Sequence, residues 1–201
     1  MIERLAEVAG RRVSRGTFAR LEQYAALLRE ASATQNLIAA STLASLWERH
    51  ILDSTQLVRF EPRPGAQWVD VGSGAGLPGI VLACLVDGPV TLIEPRRLRA
   101  DFLRHACEAL GLAVTIHCAK VERVTGSFDV ITGRAVAPLS DFLRISGHLS
   151  TGKTVWALPK GRKAEKELAE ARRAWQGVFH VEQSATDPQS KIVVGTGVRA
   201  K

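Results

Sequence analysis

The run Asp70-Val-Gly-Ser-Gly-Ala-Gly-Leu-Pro-Gly79 combines a carboxylate with closely spaced glycines. Such a run lets the backbone turn sharply and approach a ligand, and a helix that follows it begins with free N–H groups. Pro78 suits a helix start, where its missing N–H is not needed. Gly74 to Gly79 matches the dinucleotide pattern GxGxxG, which discriminates weakly by itself. Register decides the matter. In a dinucleotide fold the first glycine comes straight off the strand, which is Gly72 here, and the third position then falls on Leu77. Counted from Gly74, the loop is two residues too long. Asp70, Gly72, Gly74 and Gly76 instead form the acidic-x-GxGxG arrangement of S-adenosylmethionine (SAM) sites, where a carboxylate faces the ammonium of the methionine moiety. Glu94 lies 22 positions after Gly72 at the end of the next strand, and it can accept from both ribose hydroxyls. SAM is the expected cofactor. A nicotinamide cofactor, or a tight turn without ligand, is the alternative. The single tyrosine, Tyr24, has no lysine four residues on, so the short-chain dehydrogenase arrangement is absent.

The exit of the third strand, Cys118-Ala-Lys-Val-Glu122, is where SAM folds grip adenine: Val121 packs on the ring and Glu122 accepts from its amino group. An ordinary helix start is the plain alternative. Thr132-Gly-Arg-Ala-Val-Ala-Pro138 follows the fourth strand, at the carboxyl end where substrate chemistry is expected. No (Asp/Asn)-Pro-Pro-aromatic loop for exocyclic amines is present. None of Cys84, Cys107 and Cys118 is placed to attack a cytosine ring, and no lysine-centred constellation serves a 2′-hydroxyl. A ring nitrogen such as guanine N7 needs neither base nor covalent intermediate, because alignment and desolvation suffice for SN2 transfer from a sulfonium. Arg134 then positions phosphate, guanine O6 or the SAM carboxylate, unless it forms only a structural ion pair.

The elements that must position these groups follow from periodicity. The first sixty residues lack β-branched runs. Phe18, Leu21, Tyr24, Ala25 and Leu28 recur at helical spacing after Thr17, a plausible N-cap, and a second helix is expected over Thr42 to Phe60. The Pro/Gly break from Glu61 to Gly65 separates a helical N-terminal extension, 1–62, from a SAM-binding domain, 63–201. Strands are expected at 68–71, 90–93, 114–117, 128–131 and 154–157, with helices at 78–86, 98–110, 138–149 and 162–175 between or after them. Strands at 178–183 and 191–194 close the chain without a helix between them. This alternation implies an α/β fold with a mostly parallel seven-stranded sheet and an antiparallel last strand, and taken with the SAM-type glycine loop the expected architecture is the Rossmann-like SAM-dependent methyltransferase fold.

Composition bounds the partners. The 201 residues are 46% hydrophobic, enough for a sizeable core, and carry a formal net charge of +7, which fits a polyanion. Residues 153 to 201 hold ten Lys+Arg against five Asp+Glu. Aromatics are only 5%, too few for a broad single-strand stacking platform. The three cysteines lack zinc-knuckle or redox-pair spacing, so free thiols, a reducing cytoplasm and no metal are expected. The longest apolar stretch, Gly79 to Val86, is too short to span a bilayer, and the first residues carry no apolar leader, so no membrane role is expected.

Four motifs occur in order and spacing: Glu48-Arg-His-Ile-Leu-Asp-Ser54, the glycine loop through Ile80, Gly133-Arg-Ala-Val-Ala137, and Leu158-Pro-Lys-Gly161. Together they resemble the RsmG (GidB) family of bacterial 16S rRNA guanine-N7 methyltransferases, over nearly the whole chain. The resemblance implies SAM-dependent methylation of guanine N7 in the decoding-region loop of small-subunit rRNA by a monomer. It places Gly72, Leu77, Val121, Glu122 and Arg134 among the SAM contacts, with Glu94 at the ribose. His50 and Asp53 match the helix motif near the active cleft and join Arg134 as catalytic candidates, though they could simply pin that helix to the sheet. Lys160 matches the fifth-strand turn. Arg96, Arg97 and Arg99 beside the cofactor, and Lys160, Arg162 and Lys163 after the fifth strand, are the expected RNA-phosphate contacts, with a solvated helix face as the plain reading. The chain departs from the family pattern at Gln35, Ile38, Leu98 and Gly133. The rival readings are a small-molecule methyltransferase and an RNA-binding protein that has lost catalysis.

Overall fold

The computed structural model describes residues 1–201. Short apolar runs bounded by glycine and proline become five parallel strands: β1 (Trp68–Val71), β2 (Val90–Ile93), β3 (Val114–His117), β4 (Val130–Thr132) and β5 (Val155–Lys160). The long strands β6 (Trp175–Gln183) and β7 (Lys191–Ala200) form the closing hairpin. The sheet order is β3-β2-β1-β4-β5-β7-β6, with β7 antiparallel to both neighbours, as expected for this architecture. Seven α-helical segments complete the fold: α1 (Ile2–Ala9), α2 (Arg15–Ser32), the single turn α3 (Asp53–Thr55), α4 (Gly79–Leu85), α5 (Arg97–Ala109), α6 (Leu139–Ser146) and α7 (Ala164–Ala171).

Strand alternation sorts the core into two layers. Trp68, Val90, Leu92 and Val130 face the layer built with α1, α2, α4 and α5, whereas Val69, Val71, Ile93, Ile131 and Trp156 face α6 and α7. Leu5, Leu21, Tyr24 and Leu28 of the N-terminal helices lie in the first of these cores, fully buried. Each such leucine contributes about 1.5–3 kcal/mol, so the N-terminal helices are held by the same core as the sheet.

Three local expectations need correction. The N-cap of α2 is Ser14, whose hydroxyl accepts from Thr17 N at 3.0 Å; Thr17 is already inside the helix. The stretch 42–60 is not one helix. A 3-10 turn (Ala40–Thr42) is followed by a π-helical turn (Trp47–Leu52), then α3, then a 3-10 segment (Gln56–Phe60). Bonds to distant elements outweigh regular winding there: His50 and Asp53 accept from Arg134, and Gln56 donates to Ser184. Finally, the helix expected to reach Trp175 ends at Ala171. Trp175 instead opens β6 opposite Ala200, with its indole N–H donating to Ser140 Oγ.

Candidate functional site

The glycine loop leaves β1 and is fastened first by backbone. Gly72 N and Ser73 N both donate to Ile93 O at the end of β2, and Gly72, Gly74 and Gly76 all take positive φ. At Gly72 (φ +71°) a β-carbon would lie 2.7 Å from Val136 Cγ2, so the loop after β4 lies directly against this turn. Glu94 is 3% exposed and braces the loop: Oε2 accepts from Gly74 N at 2.9 Å, and Oε1 from Arg96 N at 2.8 Å. Each carboxylate oxygen keeps a further lone pair.

Asp70, expected to face a ligand ammonium, is instead 1% exposed beneath the loop, where Oδ2 accepts from Gly79 N at 3.0 Å. Its Oδ1 has no partner. Burial pushes its pKa up to about 7, against the opposing pull of hydrogen bonds and of Arg134. Asp70 therefore holds the junction of loop and α4 rather than the loop's open side. Leu77 and Val121 are buried on opposite layers of the sheet, while Glu122 is exposed on a 3-10 turn beyond β3.

Arg134, His50 and Asp53 come together although 81 or more residues separate Arg134 from the other two. Arg134 Nη1 pairs with Asp53 Oδ2 at 3.2 Å, and Nη2 lies 3.2 Å from His50 Nδ1. A guanidinium only donates, so Nδ1 accepts and the ring proton sits on Nε2, which donates to Thr42 Oγ1 at 2.9 Å. Thr42 Oγ1 in turn donates to Ala39 O. Burial, and then the charges of Arg134 and Arg49, lower the His50 pKa to about 4, so the imidazole is neutral near pH 7. Asp53 Oδ1 accepts from Gln56 and from Thr186 in the β6–β7 turn. Gln56 completes the tie by donating to Ser184 Oγ and accepting from Ala185 N.

These residues wall a cleft of about 680 Å³ at the carboxyl ends of β4 and β5, closed on the far side by the β6–β7 turn. Arg134 is the only one of the expected cofactor residues that lines it. Lys160, expected among the phosphate contacts, is instead turned inward: Nζ donates to Ala137 O and pairs with Glu167, both at 2.9 Å, and its side chain is 12% exposed. Glu167 also accepts from Leu139 N at the start of α6. Arg96, Arg97, Arg162 and Lys163 are exposed, with Arg162 bonded to Gln189, and Arg99 is half-buried over the glycine loop.

Tyr24, Thr42, Gln56, Ser184 and Thr186 escaped the sequence reading as site residues. Tyr24 is fully buried and donates to Ala75 O in the glycine loop at 2.7 Å. Its signal was available, as a lone tyrosine on an otherwise apolar helix face that must find a partner for its hydroxyl. The departure at Gly133 has a steric reason, since a β-carbon there would lie 2.6 Å from Phe142 Cε2 and 2.7 Å from Val71 O.

The family model GidB, described as rRNA small subunit methyltransferase G, matches residues 17–191. A ribosomal RNA small subunit methyltransferase G from Zymomonas mobilis is 44% identical over 198 residues, covering 94% of this chain and 90% of that one. The protein of that name from Sphingopyxis alaskensis is 49% identical over 183 residues, covering 90% and 78%. Among solved structures, the ribosomal protein L11 methylase from Lactobacillus delbrueckii subsp. bulgaricus has a TM-score of 0.58 at 16% identity, over 74% of this chain and 78% of that one. M. jannaschii TYW2 in complex with AdoMet also scores 0.58 at 16% identity, over 76% of each. These structural likenesses show the fold, a methyltransferase sheet. The sequence matches show more: this chain belongs to the rRNA small subunit methyltransferase G family.

Proposed function

We propose that this protein transfers the methyl group of SAM to N7 of a guanine in the decoding-region loop of 16S rRNA in the small ribosomal subunit. The observation that carries this acceptor is the state of the cleft beside Arg134. Its one histidine has both ring nitrogens engaged and is neutral. Its two lysines are paired with Glu167 and Glu165, and no thiol lines it. Guanine N7 already carries the attacking lone pair, so the chain has only to hold base and donor in line and keep water out.

The loop residues fit SAM. Glu94 keeps lone pairs for two ribose hydroxyls after bracing Gly74 and Arg96. Gly72 and Gly74 allow close approach, while Leu77, Val121 and Glu122 stand at the positions of further contacts, with Asp70 fixing the loop from below. When bound, SAM supplies an electrophilic methyl on a sulfonium. Arg134, aimed by His50 and Asp53, sits between that loop and the cleft, where it orients a carboxylate, a phosphate or guanine O6. Arg96, Arg97 and Arg99 after β2, and Arg162 and Lys163 after β5, then meet RNA phosphates. No helix is long and apolar enough to cross a membrane, and no cluster of His, Cys, Asp or Glu suits a metal. We read the protein as a cytoplasmic monomer in two parts, 1–62 and 63–201.

The test is labelling with radioactive SAM. Purified protein should label small subunits lacking the modification, and reverse-transcription mapping should place N7-methylguanine at one position in their 16S rRNA. Absence of label in rRNA, or turnover on a small molecule without RNA, would overturn the reading.

A further inference from the structure

We infer that the end of the sheet opposite the glycine loop is a second RNA-docking surface, which grips the phosphate backbone of the substrate away from the methylated base; this rests on the RNA reading above. The strand directions bring the end of α6, the loop before β5, the end of α7 and the end of β7 together at that pole. There they surround a cleft of about 590 Å³ whose lining includes Arg144, His148, Ser150, Thr151 and Arg199. Lys153, Arg172 and Arg173 stand exposed at its margins, on the loop before β5 and the turn after α7. Arg144 pairs with Asp141, and Arg172 donates to Phe179 O. The side chains of Lys153, Arg173 and Arg199 are exposed and make no hydrogen bond or ion pair. Three cations at this end of the sheet, one of them lining the cleft, are thus without a partner.

The contrast with the reaction cleft identifies the ligand. That cleft is balanced, with Arg49, Arg134, Lys160 and Lys191 set against Glu48, Asp53, Glu167 and Asp187. The charged side chains lining the rear cleft are Arg144, which pairs with Asp141, and the unpaired Arg199, and no carboxylate is in the lining. A concavity that carries arginine without a lining carboxylate, beside hydroxyl-bearing turns, suits phosphate oxygens, which attract positive charge and accept hydrogen bonds without any demand on base sequence. Distance adds a condition. The six residues of β5 alone span about 20 Å, so the rear cations cannot touch the nucleotide in the reaction cleft. They must reach a different segment, which a folded subunit offers and a short loop oligonucleotide does not.

The test is the triple variant Lys153→Gln, Arg173→Gln, Arg199→Gln. Its matched control is Arg12→Gln, Arg15→Gln, Arg29→Gln, which removes three exposed charges from α2 and the connection before it. The rear variant should flatten the plot of log affinity against log salt for subunit RNA by about two to three, at roughly 0.7 to 0.9 for each phosphate no longer neutralised. Its kcat/KM on whole subunits should fall about tenfold or more near 0.15 M salt, while KM for SAM and the rate on a short loop oligonucleotide stay as in wild type. Equal losses in the two triple variants, or an unchanged salt slope in the rear variant, would overturn the inference while leaving guanine methylation standing. Wild-type protein that neither binds nor methylates RNA would overturn both.

Discussion

The two halves of the reaction end are built by different means. The half proposed above for the cofactor, from β1 to β3, is a contiguous piece of chain held mostly by backbone. Gly72 and Ser73 donate to Ile93 O, and the two carboxylates there, Asp70 and Glu94, each accept from backbone N–H groups. The acceptor half is assembled from the π-helical turn, the loop after β4 and the β6–β7 turn, joined almost wholly by side chains. A backbone-built site tolerates little change in shape. A site tied by side chains is open and depends on a few polar links. The first suits a ligand that is always the same, and the second suits one that must be admitted from a large folded partner.

Adding a methyl group to each half should break the symmetry most sharply. A β-carbon on Gly79 would lie 2.2 Å from Leu92 Cδ2 and 2.7 Å from Asp70 Oδ2, whereas one on Gly161 would meet nothing within 4 Å. Gly79→Ala should cost about 3 kcal/mol, the upper range for overpacking, and abolish SAM binding. Gly161→Ala, in the lining of the acceptor cleft, should stay within about 0.5 kcal/mol of wild type. Urea unfolding with SAM titration decides. Equal effects would refute the contrast.

Asp53→Ala probes the other half. It removes the carboxylate shared by Arg134, Gln56 and Thr186 and leaves Arg134 free to turn. Hydrogen bonds to charged groups contribute about 1.5–3 kcal/mol, so kcat/KM on RNA should fall about 10- to 100-fold. The Kd for SAM should stay within about twofold of wild type, because none of the loop's braces is touched. A parallel loss of SAM affinity would show that the two halves act as one.

This division also explains what the sequence revealed. The glycine loop was legible because its residues are contiguous and its glycines sit at fixed offsets from one strand, although that pattern did not show that Asp70 lies beneath the loop. The order of the strands and the closing hairpin were legible for a similar local reason. The acceptor half was not. Arg134 was named from its place after the fourth strand and His50 and Asp53 through a family motif, but nothing in their spacing showed that Thr42, Gln56, Ser184 and Thr186 complete the set, since those links cross up to 133 residues. The same long-range bonds bent an expected helix into three windings. Lys160 was read as a surface cation because its partner, Glu167, lies a turn into the next helix and faces back.

Tyr24→Phe sharpens the comparison at a smaller scale, because it removes the one side-chain brace on the glycine loop that comes from the N-terminal helices. Losing a neutral hydrogen bond to Ala75 O costs about 1 kcal/mol, which should weaken SAM about fivefold with kcat at saturating SAM unchanged. A fall in thermal stability with no change in KM for SAM would mean that the tyrosine serves only the core.

The smallest net effect comes from protons, because the two halves oppose each other. Asp70 titrates near 7 when folded and near 4 when exposed, so between those values the folded chain holds a proton that the unfolded chain lacks. Stability from this group is therefore full below pH 4 and falls as pH rises to 7. His50 runs the other way: it titrates near 4 when folded and 6.5 when exposed, so its contribution grows as pH rises from 4 to 6.5. Neither slope can exceed about 1.4 kcal/mol per pH unit, and with opposite signs they largely cancel in the shared window. Asp70→Asn should expose the rising limb, and His50→Gln the falling one. Urea unfolding at pH 4.5, 5.5 and 6.5 reads the differences among the three proteins, in which the other carboxylates drop out. Three parallel profiles would mean that the buried carboxylate under the loop and the imidazole beside Arg134 titrate as ordinary surface groups, and the distinction between a backbone-held and a side-chain-held half would lose its electrostatic basis.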